Sequence, residues 1–440
     1  MSPLELAIWS FPILLALIFL RLPIGLAMLL CGVIGTVLVT DRWTPVLAQL
    51  KSLSYDTFSN YSLSIIPLFL LMGQFATRGG ISKSLFDAAG ALIGHRRGGL
   101  AAGAVAACGG FGAICGSSLA TAATMGQVAL PELKRAGYSG RLATGALAAG
   151  GTLGILIPPS VILVIYAILT EQNIAKLFVA AIVPGILAAL GYMLAIAVVV
   201  RLDPASAGVA PRRTTAERLV ALAAVWPVLA IFVAVVGGIY LGWFTPTEGA
   251  AVGALGTGLL AWLRGGLDRA GLTDALLETA KATGMIFFII LGAALYNGFL
   301  AFAQVPQAFL GLVDMLALSP WTVLLVILAL YLVLGCVMDS LSMILLTVPI
   351  FFPVIIMLDF GLPPEELALW FGILVLIVVE VGLITPPVGM NLFIINSLSG
   401  GVRLIDTYRG VLPFVASDLI RVLILLAFPM LTLGLVRLTS

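Results

Sequence analysis

Apolar stretches long enough to cross a membrane follow one another along almost the whole sequence. A membrane-spanning helix needs about 20 predominantly apolar residues, and 61% of the 440 residues are hydrophobic. Only 10% are charged, against about 25% in soluble domains. The sequence therefore predicts an all-α polytopic membrane protein, and it excludes a soluble enzyme or a nucleic-acid-binding protein. The predicted spans are 4–20, 23–40, 61–77, 141–169, 175–200, 219–242, 246–263, 284–303, 366–397 and 411–436.

Two further apolar stretches, 98–133 and 320–356, are interrupted near the middle by polar residues. Each stretch is long enough for two half-helices joined by a polar tip. We therefore interpret both as re-entrant hairpins, because irregular backbone at membrane depth must line a cavity or be buried in protein. Two plain, kinked spans are the alternative. The polar tips are residues 116–118 and 339–342.

The two halves of the sequence share the same landmarks in the same order. Ser118 recurs as Ser340, at an offset of 222 residues. The segment LGILIPPS (153–160) recurs as VGLITPPV (381–388). Ordered matches of this kind indicate two copies of one structural unit.

We predict one repeat over residues 1–200 and a second over 218–440, joined by a polar cytoplasmic linker, 201–217. Each repeat contains five membrane crossings, including a broken helix (141–169 or 366–397), and one re-entrant hairpin. An odd number of crossings inverts the second repeat relative to the first. Inverted repeats are typical of secondary transporters.

Basic residues are distributed unevenly between alternating loops. Seventeen of the 22 Lys and Arg residues fall on one predicted side, which the positive-inside rule assigns to the cytoplasm. Both termini are then periplasmic, the first hairpin enters from the cytoplasm, and the second enters from outside. Segments 78–97 and 264–283 are amphipathic and suit helices in the cytoplasmic interface; simple connecting loops are an equally compatible alternative.

The scarce residue types argue against catalysis within the membrane. The sequence has one histidine, His95, in a polar stretch, so no histidine-based triad or His-rich metal site is available. The four cysteines lie in apolar runs without a CxxC motif, and we expect them to be small core residues. We therefore predict that the protein is not an enzyme.

Oxygen atoms that could bind a cation are concentrated at the hairpin tips and at two Pro-Pro sequences. A Pro-Pro pair cannot continue a helix and frees carbonyl groups of the preceding turn, which suit Na⁺. The tips add hydroxyl groups and one carboxylate. The candidate Na⁺ ligands are Ser117, Ser118, Gly154 and Pro158 in the first half, and Asp339, Ser340, Ser342, Gly382, Thr385 and Pro386 in the second.

The half-helix that follows each tip points its N-terminus at the same predicted region, which favours an anionic group there. The candidate substrate-binding residues are Ser118, Ser160, Ser340 and Asn391. Helix capping alone is the structural alternative for the tip serines, and it is compatible with a ligand role.

Four other ionisable residues lie in or near apolar stretches. Glu380 is either a polar contact or a coupling group, and the sequence leaves this open. Glu248 follows the start of a span and is expected to be structural. Asp418 and Arg421 are three residues apart on one predicted helix and are expected to pair.

Four motifs together resemble the large membrane subunit of tripartite ATP-independent periplasmic (TRAP) transporters. They are PLFLLMGQFATRGG (67–80), LIPPS (156–160), PTEGA (246–250) and ITPPVGMN (384–391), together with the paired hairpin tips. The resemblance covers almost the whole chain.

The resemblance implies an elevator-type secondary transporter that couples Na⁺ to uptake of an organic anion, commonly a dicarboxylate or another carboxylate, across the bacterial inner membrane. It implies two partners, a small four-span membrane subunit, expected as a separate chain, and a periplasmic substrate-binding protein. No GxxxxGK[ST] motif is present, which agrees with coupling to an ion. A stand-alone Na⁺/dicarboxylate symporter of the same superfamily is the main alternative. An intramembrane enzyme and a channel fit the sequence less well.

Overall fold

The computed structural model describes residues 1–439, with the side chains of all of them except residues 56 and 314. Ser440, the last residue of the predicted second repeat, lies outside the described residues. Within 1–439 the chain forms α-helices joined by short loops, with no β-strand. The helices of the first half are α1 (Pro3–Phe19), α2 (Ile24–Thr40), α3 (Thr44–Ser59), α4 (Ile65–Arg78), α5 (Ile81–Ile93), α6 (Gly99–Cys115), α7 (Ser118–Arg135), α8 (Gly140–Leu156), α9 (Val161–Leu169) and α10 (Ile174–Leu202).

The second half continues after a polar connection. Its helices are α11 (Thr215–Tyr240), α12 (Pro246–Leu263), α13 (Arg269–Phe302), α14 (Val305–Met315), α15 (Pro320–Gly335), α16 (Ser340–Ile356), α17 (Pro364–Leu383), α18 (Met390–Leu398), α19 (Leu404–Ala427) and α20 (Met430–Thr439).

Many of these helices are apolar, as the sequence predicts. By length and composition alone, five helices in the described residues could each cross a membrane, namely α10, α11, α13, α17 and α19. The number rises to seven if two bent pairs, α3 with α4 and α8 with α9, each count as one span. The apolar part of α17 is 94% buried, whereas that of α11 is only 22% buried. Helix α17 is therefore in the core, and α11 presents most of its surface to the surroundings.

The four cysteines are free and buried, in agreement with their expected role as core residues. Glu248 is structural, also as expected. Thr245 caps α12, its hydroxyl accepts a hydrogen bond from Glu248 N, and the Glu248 carboxylate accepts one from Thr245 N at 2.8 Å. This reciprocal arrangement satisfies two backbone N–H groups at the start of the helix.

Four stretches differ from the sequence predictions. Residues 264–283 do not form a separate interfacial helix, because α13 runs without a break from Arg269 to Phe302. At 34 residues it is about 51 Å long. The predicted span 411–436 is two helices, α19 and α20, separated at Phe428-Pro429, since proline cannot continue the hydrogen-bond pattern. Helices α3 and α14 were not predicted.

Helices α6 with α7 and α15 with α16, the two predicted hairpins, pack on the helices that end at the Pro-Pro pairs. Helices α6 and α7 contact α8, and α15 and α16 contact α17. A second set of contacts joins α2 to α13 and α4 to α12. Gly32 brings α2 against the backbone of α13, since a Cβ there would lie 2.6 Å from Tyr296 N. Small residues allow this kind of close backbone approach in membrane helices.

Candidate functional site

The first polar tip joins α6 to α7. Helix α6 ends at Cys115, and Gly116 follows with φ of 64°, a left-handed conformation that glycine adopts without a steric penalty. The Ser117 hydroxyl caps α7 by accepting a hydrogen bond from Ala120 N at 3.4 Å. Ser118 is the first residue of α7 and is 1% exposed. The tip therefore presents the N-terminus of α7 to the protein interior.

The second tip joins α15 to α16 and is built in a similar way. Asp339 caps α16, and its carboxylate accepts hydrogen bonds from Ser342 N at 3.0 Å and from the Ser342 hydroxyl. Ser340 is the first residue of α16 and is buried. Asp339 and Ser342 are both candidate cation ligands, and they are already hydrogen-bonded to one another at the start of α16.

Glu380, on α17, brings the two tips together. Its Oε1 accepts a hydrogen bond from Ser340 Oγ at 2.8 Å and a longer one from Ser118 Oγ at 3.4 Å. Glu380 is 1% exposed, and its Oε2 has no hydrogen-bond partner among the described residues. The N-termini of α7 and α16 therefore meet at one buried carboxylate. Glu380 belongs to neither of the two predicted ligand sets.

The two Pro-Pro pairs lie where the helices break. Helix α8 ends at Leu156 and α9 begins at Val161, with a bend of 45° between them. Ser160 caps α9, accepting from Leu163 N at 3.4 Å, and is fully buried. In the second half, α17 ends at Leu383 and α18 begins at Met390. Both Pro-Pro peptide bonds are cis.

Each break lies directly against a hairpin. A Cβ on Gly154 would lie 2.4 Å from Thr121 Oγ1 and 2.8 Å from the carbonyl oxygen of Ser117. A Cβ on Gly382 would lie 2.6 Å from the Cα of Gly335, at the end of α15. Gly389 N also donates to the carbonyl of Cys336 at 3.1 Å. The break and the tip of each half are thus neighbours, as the two predicted ligand sets require.

Four other candidate residues occupy different positions around these breaks. Asn391 is fully buried, and its side chain donates to the carbonyl of Ala148 at 3.3 Å while its Oδ1 has no partner in the described part of the chain. Asn391 therefore links α18 to α8. The Thr385 hydroxyl donates to the Val381 carbonyl at 2.6 Å. Pro158 is buried, whereas Pro386 is only partly buried.

A second buried polar group lies in the neighbouring helices. Asp418 and Arg421 are 2.9 Å apart, which confirms the predicted pair, and both are at least 95% buried. The Tyr192 hydroxyl donates to Asp418 at 2.7 Å and is 2.8 Å from Thr152 Oγ1. A chain of polar contacts therefore runs from α19 through Tyr192 on α10 to Thr152 on α8. Thr152 lies two residues before Gly154.

The donor set at the tips and breaks consists of oxygen atoms. No group of three or more His, Cys, Asp or Glu residues comes together in the described residues. Hydroxyl, amide and carboxylate oxygens are ligands for a hard cation, and the unpaired oxygens of Glu380 and Asn391 are available for one. The residues present therefore fit Na⁺ better than a transition metal.

One known protein family matches almost the whole chain. The family model described as "Tripartite ATP-independent periplasmic transporter, DctM component" matches residues 11–431. The chain belongs to this family. It is therefore a large permease subunit of the TRAP type, and the relatives are transporter permeases rather than enzymes. Membership implies partnership with a small membrane subunit and a periplasmic binding protein.

Among similar TRAP permeases, the C4-dicarboxylate TRAP transporter large permease protein DctM of Pseudomonas aeruginosa is 41% identical over 383 residues, 87% of each chain. The sialic acid TRAP transporter large permease protein SiaM of Vibrio cholerae is 30% identical over 420 residues, 95% of this chain and 96% of that protein. The crystal structure of the Alcanivorax borkumensis YdaH transporter matches with a TM-score of 0.67 and 15% identity, covering 98% of this chain and 100% of that one. The YdaH match supports the fold.

Proposed function

We propose that this TRAP permease takes up an organic anion and couples the uptake to Na⁺. The observation that carries the proposal is the meeting of two helix N-termini, those of α7 and α16, at Glu380. Helix N-termini attract anions, while the surrounding hydroxyl and carboxylate oxygens suit cations. Both ligand types would therefore find their preferred groups within one buried region.

We propose one Na⁺ site in each half, using the two ligand sets named above. Cations beside a carboxylate substrate would offset its charge and lower the free energy of carrying it through hydrocarbon. Two Na⁺ with a dianion would make the cycle electroneutral. A monoanion, or a further Na⁺, would make it electrogenic, with about 2.3 kcal/mol per net charge per 100 mV of membrane potential.

The proposed substrate class is a dicarboxylate or another carboxylate. The relative at 41% identity carries the name C4-dicarboxylate transporter, whereas relatives named for sialic acid or ectoine are 29–33% identical. The candidate substrate residues, Ser118, Ser160, Ser340 and Asn391, are small and uncharged. We expect the periplasmic binding protein to carry most of the selectivity.

The proposed arrangement in the bacterial inner membrane follows the positive-inside rule, with both termini in the periplasm. The two halves form inverted repeats. The hairpins and broken helices (α6–α9 and α15–α18) move together as an elevator against α2, α4, α12 and α13. A small four-span subunit completes the membrane part, and the binding protein delivers substrate from the periplasm.

Reconstitution tests this proposal. The permease, the small subunit and the binding protein are placed in proteoliposomes, and uptake of radiolabelled succinate is measured with an inward Na⁺ gradient. We expect uptake only when all three proteins and Na⁺ are present, with K⁺ as the control cation. Robust uptake without the binding protein would favour a stand-alone symporter, and uptake that ignores Na⁺ would refute the coupling.

A further inference from the structure

Glu380 is a buried acidic side chain with no oppositely charged partner among the described residues. Within the described residues, three charged side chains are more than nine-tenths buried, namely Glu380, Asp418 and Arg421. Asp418 and Arg421 are 2.9 Å apart and compensate one another. Glu380 makes no ion pair in the described part of the chain. A buried carboxylate without a counter-charge is costly.

The oxygens of this cluster, including those of Glu380 itself, come from three separate helices. Ser118 Oγ on α7 and Ser340 Oγ on α16 both lie within hydrogen-bond distance of the same carboxylate oxygen, at 3.4 Å and 2.8 Å. The second carboxylate oxygen is buried and unpartnered. A serine hydroxyl can rotate and present a lone pair instead of its hydrogen. The same atoms can therefore turn lone pairs towards a cation in place of their present hydrogen bonds.

We propose that Glu380, Ser118 and Ser340 form a cation site shared by the two hairpin tips. The remaining residues of each ligand set would form the site of that half. This inference rests on the proposed coupling to Na⁺, and Na⁺ is the cation that it assigns to the site. The ion would hold the first turns of α7 and α16 together across α17. Because both tips contribute to the same site, binding there makes the two halves interdependent.

The test measures Na⁺ binding without transport. The purified complex with its small subunit, in lipid nanodiscs without substrate, is heated at increasing Na⁺ concentrations, with choline keeping the ionic strength constant. We expect Na⁺ to raise the melting temperature of the wild-type protein. Glu380→Gln keeps the size and an acceptor oxygen but removes the charge. It should raise the half-maximal Na⁺ concentration about tenfold, because the ion loses a charged ligand and keeps an acceptor oxygen; tenfold corresponds to about 1.4 kcal/mol.

Glu248→Gln is the matched control. It makes the same chemical change at a helix start, where glutamine also supports the capping arrangement, and its Na⁺ curve should match that of the wild-type protein. If Glu380→Gln also matches the wild-type curve, the shared site is refuted. If the wild-type protein shows no stabilisation by Na⁺, the proposed function itself fails, so the two failures are distinguishable.

A second measurement applies if Glu380→Gln does not fold. Ser118→Ala and Ser340→Ala each leave the carboxylate in place, and each should raise the half-maximal Na⁺ concentration. Residues that bind one ion are not independent, so the double variant should lose less affinity than the two single losses combined. Simple additivity would place the two serines in separate sites and overturn the proposal.

Discussion

Separating Asp418 from Arg421 should be among the most damaging polar changes that the chain can undergo. The two side chains are 1% and 5% exposed and lie 2.9 Å apart on α19. Removing one partner of a buried pair leaves an uncompensated charge and typically costs about 3–5 kcal/mol. Replacing both by apolar residues of similar volume is often neutral or stabilising. We therefore predict a large interaction energy between Asp418 and Arg421, and only a small change in the free energy of unfolding when both are replaced.

The two single changes should differ in size. Asp418→Asn leaves a guanidinium whose Nε and Nη1 atoms have no hydrogen-bond partner in the described residues, so we expect a loss at the upper end, about 4–5 kcal/mol. Arg421→Leu leaves a carboxylate that still accepts a hydrogen bond from Tyr192 at 2.7 Å, so we expect about 3 kcal/mol. The combination Asp418→Leu with Arg421→Leu should cost about 1 kcal/mol or less.

Unfolding by SDS in bicelles, followed by tryptophan fluorescence, measures the free energy of unfolding of each variant. The double-mutant cycle uses Asp418→Leu as the single variant at position 418, because the double variant carries leucine there. Arg403 and Asp406 supply the control, because they have the same i,i+3 spacing at the start of the same helix but are exposed. Their cycle should give no resolvable coupling. If the buried cycle also gives none, or if the double variant is as unstable as the worse single variant, the argument from charge burial is wrong.

Three further outcomes can be checked. Gly382→Ala should disturb the packing of the second hairpin against α17 and reduce uptake, because the new Cβ would lie 2.6 Å from the Cα of Gly335. Gly284→Ala on α13 is the control, because its Cβ would meet no atom within 4 Å, and it should leave uptake unchanged. Asp339→Asn should keep the cap of α16, since asparagine caps as well as aspartate, yet shift the Na⁺ dependence of uptake; an unchanged Na⁺ curve would remove Asp339 from the ligand set. A single cysteine at Ala205, which is exposed in the linker, should resist an impermeant thiol reagent in spheroplasts, and strong labelling there would reverse the proposed orientation.

The helix breaks and tips were predictable from sequence because their causes are local. A Pro-Pro pair lacks two backbone donors wherever it occurs, so the breaks after Leu156 and Leu383 follow from the residues at 158–159 and 386–387 alone. The start of α12 was equally accessible, because threonine, proline and glutamate at 245–248 form a recognisable capping sequence.

The meeting of Ser118 and Ser340 at Glu380 was not predictable in the same way. Ser118 and Ser340 lie 262 and 40 positions from Glu380 in the sequence. No local pattern encodes which carboxylate two distant tips will share. The available signal was a lone glutamate inside an apolar run, which indicates function without naming a partner. The continuous course of α13 was not predictable for a simpler reason, because a change from amphipathic to apolar residues resembles a helix boundary.

The two breaks have similar local sequences but different surroundings. Pro158, Pro159 and Ser160 are all buried, whereas Pro387 is exposed and its carbonyl oxygen accepts a hydrogen bond from the Tyr408 hydroxyl at 2.6 Å. Local sequence therefore fixes where each helix breaks, and the packing of neighbouring helices fixes whether the break is covered. Under the proposed inverted repeat, exchanging these two environments would give the opposite-facing state of the transporter. Neither break would need to change its own backbone, so the free energy of switching would depend on the contacts that cover and uncover the breaks.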